Sequence, residues 1–118
     1  MSSRLHTVAE LPQFIRDAEA ASLSDDERKA IVDTVAADPR RGDMVPGSGG
    51  IRKVRFGRSG RGKSGGLRVM VAYVGEDAPA YLLAILEKRD RANFTRSEVE
   101  AMRHITNEIK RHWKGGNR

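Results

Sequence analysis

The chain has 118 residues, of which 38% are hydrophobic and 32% charged, a composition typical of a globular domain with one core. It has no apolar run of about 18 residues and no early apolar segment, so we expect neither a transmembrane helix nor a secretory signal. Cysteine is absent, which excludes disulfides, thiolate metal sites and a cysteine nucleophile, and we expect one domain over residues 1–118 in the reducing cytoplasm.

The net charge of +6 is distributed unevenly along the chain. Residues 44–75 contain seven Lys or Arg and no Asp or Glu, whereas residues 1–43 contain nine acidic and six basic residues. A segment without carboxylates, in a chain otherwise rich in them, indicates a surface for a polyanion. A basic surface kept only for solubility would be the simpler explanation.

The first third of the sequence predicts a short strand and two helices. LHTVA has the composition of a short strand, and the apolar residues of LPQFIRDA recur with helical spacing. Pro12 suits the first turn of that helix. Ser24 and Glu27 form a capping box for a second helix, which we expect to end before Pro39.

The remaining sequence predicts three strands and a final helix. IRKVRF alternates, with Ile51, Lys53 and Arg55 on one face, and the apolar runs LRVMVAYV and AYLLAILEK predict an antiparallel hairpin. Thr95 and Glu98 form a second capping box. The apolar stripe of the helix that follows is Val99, Met102, Ile105, Ile109 and Trp113. The predicted fold class is α+β, an antiparallel sheet with two N-terminal helices and a C-terminal helix.

Residues 57–64, GRSGRGKS, satisfy the phosphate-binding pattern G-x-x-x-x-G-K-[ST]. In a nucleotide-binding loop this pattern leads into a helix, whose N-terminal N–H groups hold the phosphates. Here two glycines and a β-branched run follow, which predict a strand. Glycines beside Arg and Lys instead suit the close approach of a nucleic-acid backbone, so we expect the segment to contact RNA phosphates.

Three segments, MVPGSGGIRKVRF, GRGKSGGLRVMVAYV and YLLAILEKRDRANFT, resemble the RelE/ParE superfamily of toxins from type II toxin–antitoxin systems, and most closely the HigB-type toxins of the RelE branch. The resemblance covers about residues 5 to 112. It implies a ribosome-dependent mRNA endoribonuclease that cuts in the ribosomal A site. It also implies a cognate antitoxin that neutralises the toxin, which would exist as a monomer or in a toxin–antitoxin hetero-oligomer without membrane contact.

The family chemistry needs neither a metal nor a cofactor, and we expect none here. The 2′-hydroxyl attacks the adjacent phosphate, leaving a 2′,3′-cyclic phosphate. The resemblance assigns the catalytic roles to four basic residues, Lys63, Arg68, Lys88 and Arg89. It assigns binding of the RNA backbone to five others, Arg52, Lys53, Arg55, Arg58 and Arg61.

The sequence departs from the family in one respect. Several members have a tyrosine in the C-terminal segment that takes part in proton transfer, whereas this chain has no Tyr after Tyr81. The resemblance therefore does not identify the general acid and base. Two other functions share the same features: inhibition of DNA gyrase, as in the ParE branch of the fold, and RNA binding without catalysis.

Overall fold

A computed structural model describes residues 5–58 and 66–116 of the chain. This part of the protein contains five strands and three helices. In chain order they are β1 Val8–Glu10, α1 Pro12–Ala20, α2 Asp25–Ala37, β2 Asp43–Met44, β3 Ile51–Phe56, β4 Leu67–Ala72, β5 Ala80–Glu87 and α3 Arg96–Gly116. The predicted α+β class is confirmed. None of the described helices has the length and apolar character needed to cross a membrane.

The five strands form one sheet in the order β1-β5-β4-β3-β2. β3, β4 and β5 are antiparallel neighbours, as the alternating and apolar runs predicted. β1 differs from the prediction, because it pairs in parallel with β5, with Val8 opposite Ala80. The sheet is therefore mixed rather than wholly antiparallel. A parallel pair needs a long crossover, and here the whole segment from α1 to β4 lies between the two strands.

Both predicted capping boxes are present at the helix starts. At α2 the Glu27 amide donates to Ser24 Oγ at 3.0 Å, and the Ser24 amide donates to the Glu27 carboxylate at 2.9 Å. At α3 the Glu98 amide donates to Thr95 Oγ1 at 3.1 Å, and the Thr95 amide donates to the Glu98 carboxylate at 2.7 Å. These bonds satisfy N–H groups that the helices leave without partners, so each box fixes where its helix begins.

The sheet has a hydrophobic core on each face. On the face covered by α1 and α2, here the α1/α2 face, the buried residues are Phe14, Ala18, Ile31, Val35, Val54, Leu67, Val69, Val71, Ala80, Leu82 and Ile85. On the face covered by α3, here the α3 face, they are Ile51, Met70, Ala72, Leu83, Ala84, Met102 and Ile109. Strand residues alternate between the two cores, as the pleat requires. A bulge in β5 interrupts this alternation at Leu83.

One predicted member of the α3 apolar stripe lies outside the core. Ile105 is 41% exposed, whereas Thr106 is fully buried. Thr106 follows Met102 by four residues and precedes Ile109 by three, which places it on the buried line of the helix. Its hydroxyl donates to the Met102 carbonyl at 2.9 Å, so its burial leaves no unpaired polar atom.

Candidate functional site

Basic side chains on β3 and β4 meet on the α3 face of the sheet. Arg55 lies directly opposite Arg68 in the antiparallel register, and Lys53 lies opposite Met70. Cross-strand partners share a face, and Met70 belongs to the α3 core. Lys53, Arg55 and Arg68 therefore form one patch, here called the basic platform. Alternation along β3 predicted the shared face of Lys53 and Arg55, and that prediction is confirmed.

The α3 core lies beside the platform and does not include it. Met102 and Ile109 of α3 pack with residues up to the row of Met70 and Ala84. The next row holds Arg55 and Arg68. Arg55 is exposed, and Lys53 and Arg68 are half-buried. The platform is thus accessible to a ligand, while its two strands are held rigidly by the neighbouring core.

The end of β5 extends the platform along the sheet. The Lys88 amide donates to the Gly66 carbonyl at 3.0 Å, which continues the β4–β5 ladder by one residue pair. Strand alternation from Leu86, the partner of Arg68, then places Lys88 on the α3 face. Lys88 and Arg89 are both exposed. Four of the nine predicted site residues, Lys53, Arg55, Arg68 and Lys88, therefore share this end of one face, and Arg89 adjoins them.

The platform cations lack acidic partners within residues 5–58 and 66–116. No ion pair in that part of the chain involves Lys53, Arg55, Arg68 or Lys88, and Arg68 donates only to the Leu67 carbonyl, at 3.3 Å. Like charges directly opposite each other destabilise a sheet. An arginine pair on central strands therefore costs folding free energy that an anionic ligand would offset. This arrangement is suited to a phosphate backbone.

Arg58 lies apart from the platform, and the RNA contact expected of it is not supported. Its side chain is only 3% exposed and forms ion pairs with two carboxylates. Nε and Nη2 donate to Glu27 at 3.0 and 3.2 Å, and Nη1 donates to Glu87 at 2.9 Å. The hydrogen bond from Arg58 and that from the Ser24 amide lower the pKa of Glu27 to about 2, and the same pairing raises the pKa of Arg58. We therefore correct its expected role from RNA binding to internal ion pairing.

Of the three other predicted residues, Arg52 is described and also lies apart from the platform. Arg52 alternates to the α1/α2 face, where its guanidinium donates to the carbonyls of Arg40 and Gly42 at 2.7 and 3.2 Å. Arg61 and Lys63 lie outside the described residues. Residues 59–64 of GRSGRGKS are also outside the described residues, but the segment that follows the motif is strand β4. The prediction that no helix follows the phosphate-binding pattern is confirmed, which argues against a nucleotide site.

Two features of the site were not predicted from sequence. Lys53 Nζ donates to Asn93 Oδ1 at 3.5 Å, which brings the segment between β5 and α3 beside the platform. In the same segment Arg91 makes a bidentate ion pair with Glu98, at 2.7 and 2.6 Å. Neither Asn93 nor Arg91 had a recognisable partner in the sequence, because these contacts depend on the path of the chain after β5.

The described histidines and tyrosines lie away from the platform. His6 contacts the Ala78 carbonyl, and Tyr81 accepts a hydrogen bond from Trp113, both near the start of β5. His104 is 71% exposed beside Glu100 on α3. At the platform and the adjoining end of β5, the described residues with an amine side chain are Lys53 and Lys88.

Comparisons with known proteins agree with this geometry. A family described as the RelE toxin of the RelE/RelB toxin–antitoxin system matches residues 8–114. A structure of the Escherichia coli toxin RelE, in the free state and with two arginines replaced by alanine, superposes with a TM-score of 0.54 and 16% sequence identity. The match covers 83% of this chain and 93% of that one, and it shows a shared fold.

The family match spans nearly all of the chain and bears out the resemblance read from the sequence, while the closer likeness to HigB-type toxins stays a prediction. The chain belongs to the RelE family and is a toxin of a toxin–antitoxin system, with ribosome-dependent endoribonuclease function.

Proposed function

We propose that the basic platform and the end of β5 bind mRNA on the ribosome and cleave it without a metal ion. The observation that carries the proposal is the arginine pair Arg55 and Arg68, opposed on central strands and lacking acidic partners within the described residues. Phosphate contacts supply most of the affinity of such surfaces. The rigid strands hold the cations in place before the charge on phosphorus develops, which is the condition for electrostatic catalysis.

The reaction that fits these groups is an internal transfer at phosphorus. A base removes the proton of the 2′-hydroxyl, and the 2′-oxygen forms a bond to the adjacent phosphorus. The bond from phosphorus to the 5′-oxygen breaks, and an acid donates a proton to that oxygen. The products are a 2′,3′-cyclic phosphate and a free 5′-hydroxyl, and no co-reactant is consumed.

Each basic residue has a proposed role in this reaction. Arg68, half-buried on β4, stabilises the non-bridging oxygens of the transition state. Lys63 and Lys88 are the candidates for the general base, and Arg89 stabilises phosphate or donates a proton to the leaving oxygen. The backbone of the RNA is held by Lys53, Arg55 and Arg61.

The partners follow from the family and from the substrate. A cognate antitoxin binds the toxin and blocks cleavage, either by covering the platform or by displacing an element that borders it. Because the substrate is mRNA in the ribosomal A site, the toxin acts in the cytoplasm. Free toxin is a monomer, and the neutralised form is a hetero-oligomer with the antitoxin.

The test uses purified toxin, 70S ribosomes programmed with a defined mRNA, and mapping of the new 5′ ends. We expect cuts within the codon in the A site and 5′-hydroxyl ends, at the same rate when the toxin has first been treated with chelator and desalted, in a buffer whose magnesium keeps the ribosomes intact. Arg68→Ala should abolish most cleavage, whereas Arg111→Ala, an exposed arginine on the distal turns of α3, should not. Uncut mRNA with folded wild-type protein, or 5′-phosphate ends, would contradict the proposal.

A further inference from the structure

Arg58 connects three parts of the fold next to the platform. It follows β3, and its guanidinium binds Glu27 in the first turn of α2 and Glu87 at the last position of β5. Glu87 is followed directly by Lys88 and Arg89, both proposed site residues. The sequence places these carboxylates 31 and 29 residues from Arg58, so only the folded chain brings the three groups together.

Glu87 is shared between two arginines of unequal exposure. Its Oε1 accepts a hydrogen bond from Arg58 Nη1 at 2.9 Å, and the same oxygen lies 3.8 Å from Arg89 Nε. The longer separation is beyond a hydrogen bond, as is the 4.0 Å from Arg89 Nε to Asp90 Oδ1, and the Arg89 side chain is 53% exposed. Arg58 thus satisfies the carboxylate that lies nearest to Arg89.

We propose that Arg58 is a positioning residue for the cleavage reaction: it holds Glu87 on the α1/α2 face and thereby leaves the Arg89 guanidinium free for phosphate. The inference rests on the proposed function, because it assumes that Arg89 acts on RNA. Without Arg58, the Glu87 carboxylate would be half-buried with Arg89 as its nearest cation among residues 5–58 and 66–116. Arg89 would then close the remaining distance and form the ion pair itself, since an unpaired buried charge is costly.

Arg58 itself is not an RNA contact in this proposal. Its side chain is 3% exposed, and three of its five N–H donors are already bonded to carboxylates. A phosphate would have to displace both glutamates to reach it. The effect on RNA is therefore indirect, through Arg89.

The experiment is a double-mutant cycle on single-turnover cleavage of ribosome-bound mRNA, with Arg58→Met, Arg89→Ala and the combined variant. We expect Arg58→Met to slow cleavage roughly tenfold to a hundredfold, less than the loss from deleting a transition-state cation. In the Arg89→Ala background, Arg58→Met should cause no further loss beyond about twofold, because the two changes act through the same guanidinium. All rates are measured where circular dichroism shows each variant to be folded.

Two further variants separate this role from loss of stability. Arg28→Met is the matched control, because it removes a bidentate Arg–Glu pair between α2 and Glu10 of β1, away from the platform. It should leave the cleavage rate unchanged. If Arg58→Met does not fold, a variant that neutralises the whole cluster, Arg58→Met with Glu27→Gln and Glu87→Gln, removes the buried charges together. That variant should cleave at close to the wild-type rate, since Glu87 no longer competes for Arg89 and the exposed Asp90 is the same as in wild type.

Three outcomes would overturn the proposal. The first is a folded Arg58→Met protein that cleaves as fast as wild type. The second is additive losses for Arg58→Met and Arg89→Ala, which would mean independent roles. The third is an equal loss in Arg28→Met, which would mean that the effect is stability alone. A wild-type protein that fails to cleave ribosome-bound mRNA would contradict the proposed function instead.

Discussion

At the end of the sheet where β3 leads towards β4, the basic side chains on the two faces have opposite surroundings. On the α1/α2 face, Arg58 is enclosed by Glu27 and Glu87, and Arg52 binds main-chain carbonyls. On the α3 face, Arg55 and Arg68 oppose each other without a carboxylate partner among the described residues. Residues from one acid-free stretch of sequence therefore serve two different purposes, depending on the face.

The difference shows that the absence of acidic residues from 44–75 does not by itself predict which cations in this stretch are available to a ligand. The carboxylates that neutralise Arg58 come from α2 and β5, outside the stretch. Strand alternation, rather than local charge, separates the cations that fold the protein from those available to a ligand. A substitution on the α1/α2 face should consequently have the larger effect on stability, and a substitution on the α3 face should have the larger effect on RNA cleavage.

The largest expected effect is on stability. Arg58→Met should lower the free energy of unfolding by about 3–5 kcal/mol, because it leaves buried carboxylates without their partner. Arg55→Met, at an exposed position opposite another arginine, should change it by about 0.5 kcal/mol or less. Urea unfolding monitored by circular dichroism measures both. Equal losses in the two variants would mean that the two faces do not differ in the way described.

The cleavage rate should be more sensitive to substitutions on the α3 face than to those on the α1/α2 face. Arg68→Ala should reduce single-turnover cleavage by roughly 10²–10³, the usual cost of removing one group that stabilises transition-state charge. Its melting temperature should stay close to that of wild type, because the substitution relieves repulsion with Arg55. Arg111→Ala serves as the matched arginine control. If folded Arg68→Ala cleaves at the wild-type rate, Arg68 does not contact the reacting phosphate.

A third effect concerns the response of the Arg58 cluster to acid. The pKa of Glu27 is lowered to about 2, first by the hydrogen bond from Arg58, so the stability it contributes is present above its unfolded value of 4.5. That stability is lost as the pH falls from about 4.5 to about 2, at most about 3 kcal/mol. Urea midpoints across this range should fall steeply for wild type and less for Arg58→Met.

Glu98 supplies an internal reference for the same titration. The pKa of Glu98 is also lowered to about 2, first by the hydrogen bond from Arg91. Glu98 lies on α3, and its ion pair is the same in wild type and in Arg58→Met. Its carboxylate is 40% exposed and therefore contributes less stability. The difference in acid response between wild type and Arg58→Met should therefore report Glu27. Identical slopes below pH 4.5 would mean that Arg58 does not hold Glu27 ionised.

Much of the fold was predictable because its signals are local. Both capping boxes lie within four residues, and the alternation of IRKVRF placed Lys53 and Arg55 on one face correctly. The parallel pairing of β1 with β5 was not predictable, because it joins Val8 to Ala80 across most of the chain. The same limit applies to the two-residue strand β2, which exists only through its partner β3.

The sequence indicated that basic residues would form the candidate site, but not which of them would pair with carboxylates inside the fold. The family resemblance assigned catalytic roles to Arg68, Lys88 and Arg89 by their motifs; those roles stay predictions, and the structure brings Arg68 and Lys88 to one face. Arg58 was grouped with the RNA contacts because its neighbours in sequence are glycines and cations. Its true neighbours are Glu27 and Glu87, and no local pattern reveals contacts at that separation.

The smallest expected effect is on the salt dependence of RNA binding. It distinguishes the two faces by a binding measurement that does not require cleavage. Each phosphate contact to single-stranded RNA contributes about 0.7 to the slope of log affinity against log salt. Lys53→Ala with Arg55→Ala should therefore lower that slope by about 1.4, and Arg58→Met, added to Arg89→Ala so that Arg89 cannot contribute, should leave it unchanged. Binding to programmed ribosomes or to a short RNA, measured by fluorescence anisotropy between low and moderate salt, gives both slopes.

Codon preference provides the control for the same pair of variants. Phosphate contacts position the RNA and carry no sequence information, so Lys53→Ala with Arg55→Ala should cut the same codons as wild type, only more slowly at a given concentration. A lower slope on adding Arg58→Met to Arg89→Ala would mean that the Arg58 guanidinium leaves the two glutamates to bind phosphate. The buried face would then be part of the RNA surface, and the contrast between the two faces would not hold.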